Sequence, residues 1–204
     1  MKYGRVVKIV LVISLALIPI NYTFAGKGYK DARLGVVQDY YDPIDRNFLI
    51  LVERGHIIEM KERYQKGLFD WVWNDLEYVL RHVPNHPEAL QKMISFVDEY
   101  IKKTPDDVNE WFDKAVDWNP MEPNTRVLYG IHFYKIKEYE KAEEQFQAAI
   151  SLDEKHVEAH YNYGLLLLKM GKLEEAKKHA KFAYDNNYPL PGLQNLLAKL
   201  KHWP

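Results

Sequence analysis

The chain has 204 residues, 28 Lys+Arg against 29 Asp+Glu, a formal net charge of −1, 47% hydrophobic residues and no cysteine. Balanced charge supplies no long-range field for gripping nucleic acid. Without thiols there is no disulfide framework, Cys-zinc site, iron–sulfur cluster or cysteine nucleophile, and the apolar fraction is that of a compact domain or short repeat array rather than a disordered tail.

In chain order, Lys2, Arg5 and Lys8 precede an almost wholly apolar run from Ile9 to Ile20, and Thr23 and Ala25 stand three and one places before Gly26. This layout predicts a secretory signal peptide over residues 1–25, cleaved after Ala25. The apolar run is short of the roughly 20 residues that a permanent spanning helix needs. Cleavage leaves 25 basic residues against 29 acidic ones in a periplasmic or secreted protein. The alternative is an inner-membrane anchor through an uncleaved N-terminal helix, and the absence of cysteine at the junction excludes a lipoprotein. Residues 26–52 form a lead-in. Asp39-Tyr40-Tyr41-Asp42-Pro43-Ile44-Asp45 reads as an irregular turn, and Phe48-Leu49-Ile50-Leu51-Val52 as an apolar run that either leads into a helix or folds back over the surface that follows.

Further on, a shift of 34 residues aligns Tyr129-Gly130 with Tyr163-Gly164, Lys135 with Lys169, Glu140 with Glu174, Ala142 with Ala176 and Ala149 with Ala183. Each 34-residue unit reads as two amphipathic helices joined by a short polar turn, Lys137-Glu138 in one and Gly171-Lys172 in the next. The pattern resembles the tetratricopeptide repeat. In 123–156, Gly130 holds the small eighth place, Phe133 the eleventh, Ala142 the twentieth, Phe146 the twenty-fourth and Ala149 the twenty-seventh. In 157–190 these places hold Gly164, Leu167, Ala176, Ala180 and Ala183. Arg126 and His160 depart from the family's Trp or Leu, and Glu154 and Tyr188 from its closing Pro.

Upstream, Phe112, Ala115 and the Val116–Pro120 stretch resemble a unit's end, and His82–Ala89 resembles a unit boundary with Pro opening the next helix. The units are therefore 53–86, 87–122, 123–156 and 157–190. The second carries two extra residues, placed at the turn Lys103–Asp107, and Gly67 marks the turn of the first. Over 191–204, Leu193, Leu196, Leu197 and Leu200 predict a helix that caps the last repeat. The expected fold is an all-α, right-handed superhelical solenoid, with the resemblance covering about 138 of 204 residues.

The sequence carries little that suggests catalysis. His82 with His86, and His156 with His160, are spaced four apart, but each pair straddles a unit boundary, so capping or exposed histidines are expected rather than a metal site. Asp39, Asp42 and Asp45 lack the spacing, glycine and closing glutamate of a calcium loop. No phosphate-binding Gly-rich loop or Gly-x-Ser-x-Gly elbow occurs; Ser14, Ser95 and Ser151 are the only serines. No cofactor, metal or catalytic residue is expected.

The resemblance instead implies binding through a concave surface lined by the first helix of each unit. Here it would present Asn124, Val127, Ile131 and Tyr134, then Glu158, Tyr161, Asn162, Leu165 and Leu168. Chaperone-binding members of the family carry a Lys, Asn and Arg carboxylate clamp at such places. Val127, Ile131, Tyr161 and Leu165 stand there instead and only Asn162 matches, so that clamp is not expected. The mainly apolar strip is either a groove for a partner segment or a surface buried by the superhelix, the lead-in or the cap. Charge is also uneven: residues 98–122 sum to −5 and residues 169–202 to +4, which raises head-to-tail self-association. The expected function is a non-catalytic protein-binding adaptor of the bacterial cell envelope, with no nucleic-acid partner. The alternatives are a self-assembling scaffold and a metal-dependent enzyme.

Overall fold

The helices follow from apolar residues at spacings of three and four, punctuated by Pro at helix starts and by left-handed residues at helix ends. A computed structural model describes residues 37–43, 46–97 and 104–200. The predicted signal peptide, about half of the lead-in and the last four residues lie outside them. A first helical stretch comprises α1 (Arg46–Val52), a π-helical segment (Glu53–Ile58) and α2 (Glu59–Gln65). It is followed by α3 (Phe69–His82), α4 (Pro87–Phe96), α5 (Pro105–Trp118), α6 (Pro123–Lys135), α7 (Tyr139–Leu152), α8 (Val157–Lys169), α9 (Leu173–Asp185) and α10 (Gly192–Lys199). The described residues contain no strand. The protein is an all-α helical-repeat solenoid in which α6 packs on α7, α8 on α9, and each pair on the next.

The helix starts carry the repeat register. Residues 123 and 139, and 157 and 173, are equally spaced, whereas 87 and 105 are two residues further apart. The insertion of the second unit therefore falls between α4 and α5. In the first unit, counting back from Phe69 by the regular spacing reaches Glu53, but helix continues two turns upstream to Arg46. Part of the 26–52 stretch is thus an extension of the first repeat helix, held by buried Leu49 and Val52.

Each unit's second helix buries three residues against its first. The columns are Val72, Leu76 and Val79; Val108, Phe112 and Ala115; Ala142, Phe146 and Ala149; and Ala176, Ala180 and Ala183, all at 2% exposure or less. Glycine at the eighth place matters where the facing residue is largest. A Cβ on Gly130 would lie 2.6 Å from the Phe146 ring. In the last unit the facing residue is the small Ala180, and a Cβ on Gly164 would instead lie 2.5 Å from Leu193 of α10. The capping helix thus inserts Leu193 where the preceding unit uses its own phenylalanine. Leu193 and Leu197 are fully buried, while Leu196 and Leu200 face outward at 44% and 52% exposure.

The turn after the first helix of the first, third and fourth units carries one left-handed residue. Gly67 and Gly171 supply it at φ +69° and +77°, and Lys137 occupies the same place at φ +68°. A Cβ there costs roughly 1–2 kcal/mol, partly offset by the greater unfolded-state entropy of glycine. Lys137→Gly is expected to stabilise the protein by about 0.5–1 kcal/mol, read as a higher urea midpoint with unchanged slope. An unchanged or lower midpoint contradicts this account of the turn.

Candidate partner-binding groove

The concave face is built from the first helices, and the fate of the predicted strip depends on what lies over each of them. Asn124 is pinned at the start of α6: its backbone N–H donates to the Glu122 carboxylate at 2.9 Å, and its side-chain oxygen meets His156 Nε2 at 3.0 Å. Val127 is buried at 2% exposure; Ile131 and Tyr134 are half-buried against the main core, with Tyr134 beside Tyr139. In α8, Tyr161 is buried and stacked on Tyr188 at 4.2 Å, with its hydroxyl against Gly192. Leu165 and Leu168 pack into the same cluster as Leu193 and Leu197. The Asn162 amide donates to the Glu158 carbonyl at 3.0 Å, and Glu158 itself is exposed. The strip therefore divides. Asn124, Val127 and Glu158 line an open cleft, whereas Tyr161, Leu165 and Leu168 belong to the cluster that seats the cap.

The open part of the groove lies further toward the N-terminus than the strip. A cleft of about 510 Å³ is lined by Lys61 of α2, Glu88, Gln91 and Lys92 of α4, Asn124, Val127 and Leu128 of α6, Glu158 of α8, and Tyr41. A second pocket of about 450 Å³ adjoins it and shares Lys61 and Lys92. Its walls are α2 and α4, which meet through side chains, Tyr64 against Phe96 at 6.0 Å and Lys61 with Glu88 at 3.5 Å, whereas α4 packs on α6 and α6 on α8. The π-helical segment immediately precedes α2, and the extra residue in its turn changes the direction in which the helix leaves.

Residues 37–43 run along one edge of this groove. Backbone Gln38 N–H donates to the His82 carbonyl at 2.8 Å, and Tyr40 N–H to Asn85 Oδ1 at 2.9 Å. The Asp39 carboxylate accepts from the Asn85 amide at 3.0 Å and the Asn119 amide at 2.6 Å. It thereby ties the loops that end the first and second units. Burial, then the nearby Glu122, pushes the Tyr41 hydroxyl well above its ordinary value, so the phenol stays neutral in the cleft.

Repeat-to-repeat contacts fix the curvature behind the groove. Tyr129 donates to Asp113 at 2.8 Å and stacks on Phe112 at 4.7 Å. One repeat later, Tyr163 donates to Glu143 at 2.8 Å and accepts from Gln147. Lys172 also bonds Glu143 and holds its carboxyl below the usual range. The Tyr-Gly dipeptide thus has two roles: the tyrosine reaches back to the preceding unit while the glycine admits a ring or a leucine.

The histidines take structural parts. His86 and His156 are helix caps, each Nδ1 accepting a backbone N–H at 3.3 and 3.2 Å. Among the described residues no group of three or more His, Cys, Asp or Glu is placed to hold a metal ion. His160 and His179 meet through their Nδ1 atoms at 2.9 Å, and His160 Nε2 faces the Glu154 carbonyl at 3.1 Å. With that Nε2 protonated, His160 Nδ1 accepts from His179. Burial, then the neighbouring His160, lowers the His179 pKa to about 4, and burial lowers that of His160. Above the ordinary histidine pKa both folded and unfolded chains are neutral here. As pH falls from about 6.5 toward 4, the unfolded chain takes up protons that the folded one refuses, and stability is lost. The thermal midpoint is expected to fall over this window, and less so in His179→Phe. Parallel pH profiles for the two proteins contradict this.

Three lysines of the predicted basic end are paired within the chain, Lys172 with Glu143, Lys177 with Glu174 and Lys181 with Asp185, and only Glu143 lies outside the residues already counted in the sum of +4. Lys61, Gln91, Lys92 and Tyr41 were not among the sequence-derived groove residues. The first three stand at repeat places nine, five and six of the two weaker units, and extending the concave register to those units finds them. Nothing in the sequence marks Tyr41.

Residues 130–171 match the family described as TPR repeat. A 76-residue stretch, 37% of the chain, is 32% identical to Protein bimA of Emericella nidulans, and the chain spans 9% of that relative's length. A structure described as the functional characterization of Pseudomonas aeruginosa pilF is similar at TM-score 0.55 and 22% identity, over 74% of this chain and 69% of that one. A thermophilic TPR protein in Thermus thermophilus is similar at TM-score 0.54 and 17% identity, over 69% and 76%. YrrB, a TPR protein with an unusual peptide-binding site, is similar at TM-score 0.50 and 18% identity, over 67% and 70%. At these identities the likeness is one of fold.

Proposed function

We propose that this chain, an all-α repeat fold whose residues 130–171 match the TPR repeat family, is a protein-interaction module whose concave groove binds a segment of a partner protein. The observation that carries this reading is the open cleft across α2, α4, α6 and α8, continuous with a second pocket through Lys61 and Lys92. A cleft that crosses several helices presents successive side-chain sites to a chain laid along it, which suits an extended or helical segment better than a compact small molecule. The reading assigns the chain no catalytic step.

Selection of random twelve-residue peptides displayed on phage tests the proposal. The full chain is expected to enrich peptides that a Gln91→Trp variant, with an indole placed in the cleft, no longer retains. Enrichment that survives Gln91→Trp places binding elsewhere on the surface and sinks the groove.

The envelope location rests on the N-terminal sequence: a basic start, a short apolar run and small residues before Gly26. Expressed in a bacterium, the chain is expected to be recovered outside the cytoplasm with Gly26 at its N-terminus. A cytoplasmic product still beginning at Met1 contradicts export, and an uncleaved product in the membrane fraction supports the anchored alternative.

A further inference from the structure

The pocket between α2 and α4 has a chemistry of its own, distinct from the rest of the groove. Its floor and walls are apolar, formed by Val72 and Leu76 of α3 with Met60 and Phe96. Its rim carries Lys61 and Lys92, both exposed. Lys61 has Glu88 at 3.5 Å, at a surface distance and exposure that leave its charge available to a ligand. Lys92 makes no ion pair among the described residues. At about 450 Å³ the pocket falls within the range of about 300–1,000 Å³ typical of ligand sites. It is not a closed void, because the two lysines on its rim also line the cleft.

From this we infer that the groove takes a peptide segment in which an aliphatic or aromatic side chain lies next to an aspartate or glutamate. The inference rests on the groove reading above and names its ligand. The apolar side chain seats between Met60 and Phe96, and the adjacent carboxylate meets Lys61 and Lys92 at the rim. The pocket's own lining carries Lys61 and Lys92 and no acid, while Glu88 and Glu158 stand in the cleft beyond, so at this rim charge complementarity selects such a segment over a basic one. A lysine in the ligand would leave the rim ammonium groups facing a like charge, in a concave site where fields are stronger than on a convex surface. The carboxylate is a side chain within the segment, because the cleft continues past the lysines to Gln91, Asn124 and Glu158 and leaves room for chain on that side.

The test uses the peptides enriched on the full chain, resynthesised with a fluorescein label and measured by fluorescence polarisation. They are expected to share an apolar residue within two places of an Asp or Glu. Replacing that acid by Lys is expected to weaken binding at least tenfold. On the protein, Lys61→Met with Lys92→Met keeps the aliphatic stems while removing both charges, and is expected to weaken binding by a similar factor and reduce its salt dependence. Ser95→Trp, at the pocket mouth, is expected to abolish binding, while Lys199→Met on the exposed side of α10 leaves it unchanged. Unchanged helical circular dichroism checks that these surface variants fold. Peptides that depend on Gln91 but carry no acid, or that bind the double Met variant undiminished, overturn this ligand chemistry and leave the groove reading standing. Failure to enrich any Gln91-dependent peptide overturns both.

Discussion

Phe146→Ala is expected to lower the unfolding free energy by about 3–5 kcal/mol, the range for truncating a buried aromatic to alanine. Phe146 is 1% exposed, and its ring lies where a Cβ on Gly130 would come within 2.6 Å. The ring fills the space that the missing glycine side chain leaves, so it has no alternative packing when removed. The converse change is also costly. Gly130→Ala forces a methyl into the ring and is expected to cost about 1–3 kcal/mol by overpacking. The two changes are coupled. In Gly130→Ala with Phe146→Leu the new methyl meets a smaller side chain, so the double variant is expected to be more stable than the sum of the single losses predicts. An interaction of about 0.5 kcal/mol or more in urea titrations is the expected size. Strict additivity would mean that the contact does not set the spacing of α6 and α7.

The second large effect is at an ion pair inside the first unit. Arg63 stands at the eleventh place, where the other units have Val97, Phe133 and Leu167. Its guanidinium binds the carboxylate of Asp75, whose other oxygen meets His56 Nδ1 at 2.9 Å. The Asp75 side chain is 7% exposed and that of Arg63 27%. Arg63→Ala leaves a buried carboxylate with only a histidine partner and is expected to cost about 3 kcal/mol, the low end for breaking a buried pair because the arginine still sees water. Replacing both, as Arg63→Leu with Asp75→Leu, removes charge and counter-charge together and gives the unit an apolar residue like those of its neighbours. That variant is expected to be as stable as the parent or more so. A double variant as unstable as Arg63→Ala contradicts the view that desolvation of an orphaned carboxylate is the cause.

These two sites explain how far the sequence could be read. The last two units were legible because their interior is made of Gly130, Ala142 and Ala149 and their counterparts, small residues that close helix packing requires and that recur at one spacing. The first unit was faint because it solves the same packing problem differently. Met60 and Leu76 replace the glycine and phenylalanine, and Arg63 stands where the other units have Val97, Phe133 and Leu167. The capping helix was visible from its leucines, but its register was not. Only the structure shows that Leu193 fills the hole that Ala180 leaves beside Gly164. The groove was read least well. A concave face can be assigned from repeat places, but whether it is open depends on what crosses it. Tyr188 and α10 close the α8 end through Tyr161, while at the other end α2 and α4 meet through side chains around an open pocket. Neither a covering contact nor a helix direction has a spacing signature.

A partner segment held in the proposed groove passes between α2 and α4. Site-specific photo-cross-linking addresses it most directly, with benzoylphenylalanine placed singly at Gln65 on the pocket rim, at Gln91 in the cleft and at Lys178 on exposed α9. With a labelled peptide enriched on the full chain, adducts are expected from the Gln65 and Gln91 positions and not from Lys178. Adducts from Lys178 alone, or equally from all three, would contradict the groove.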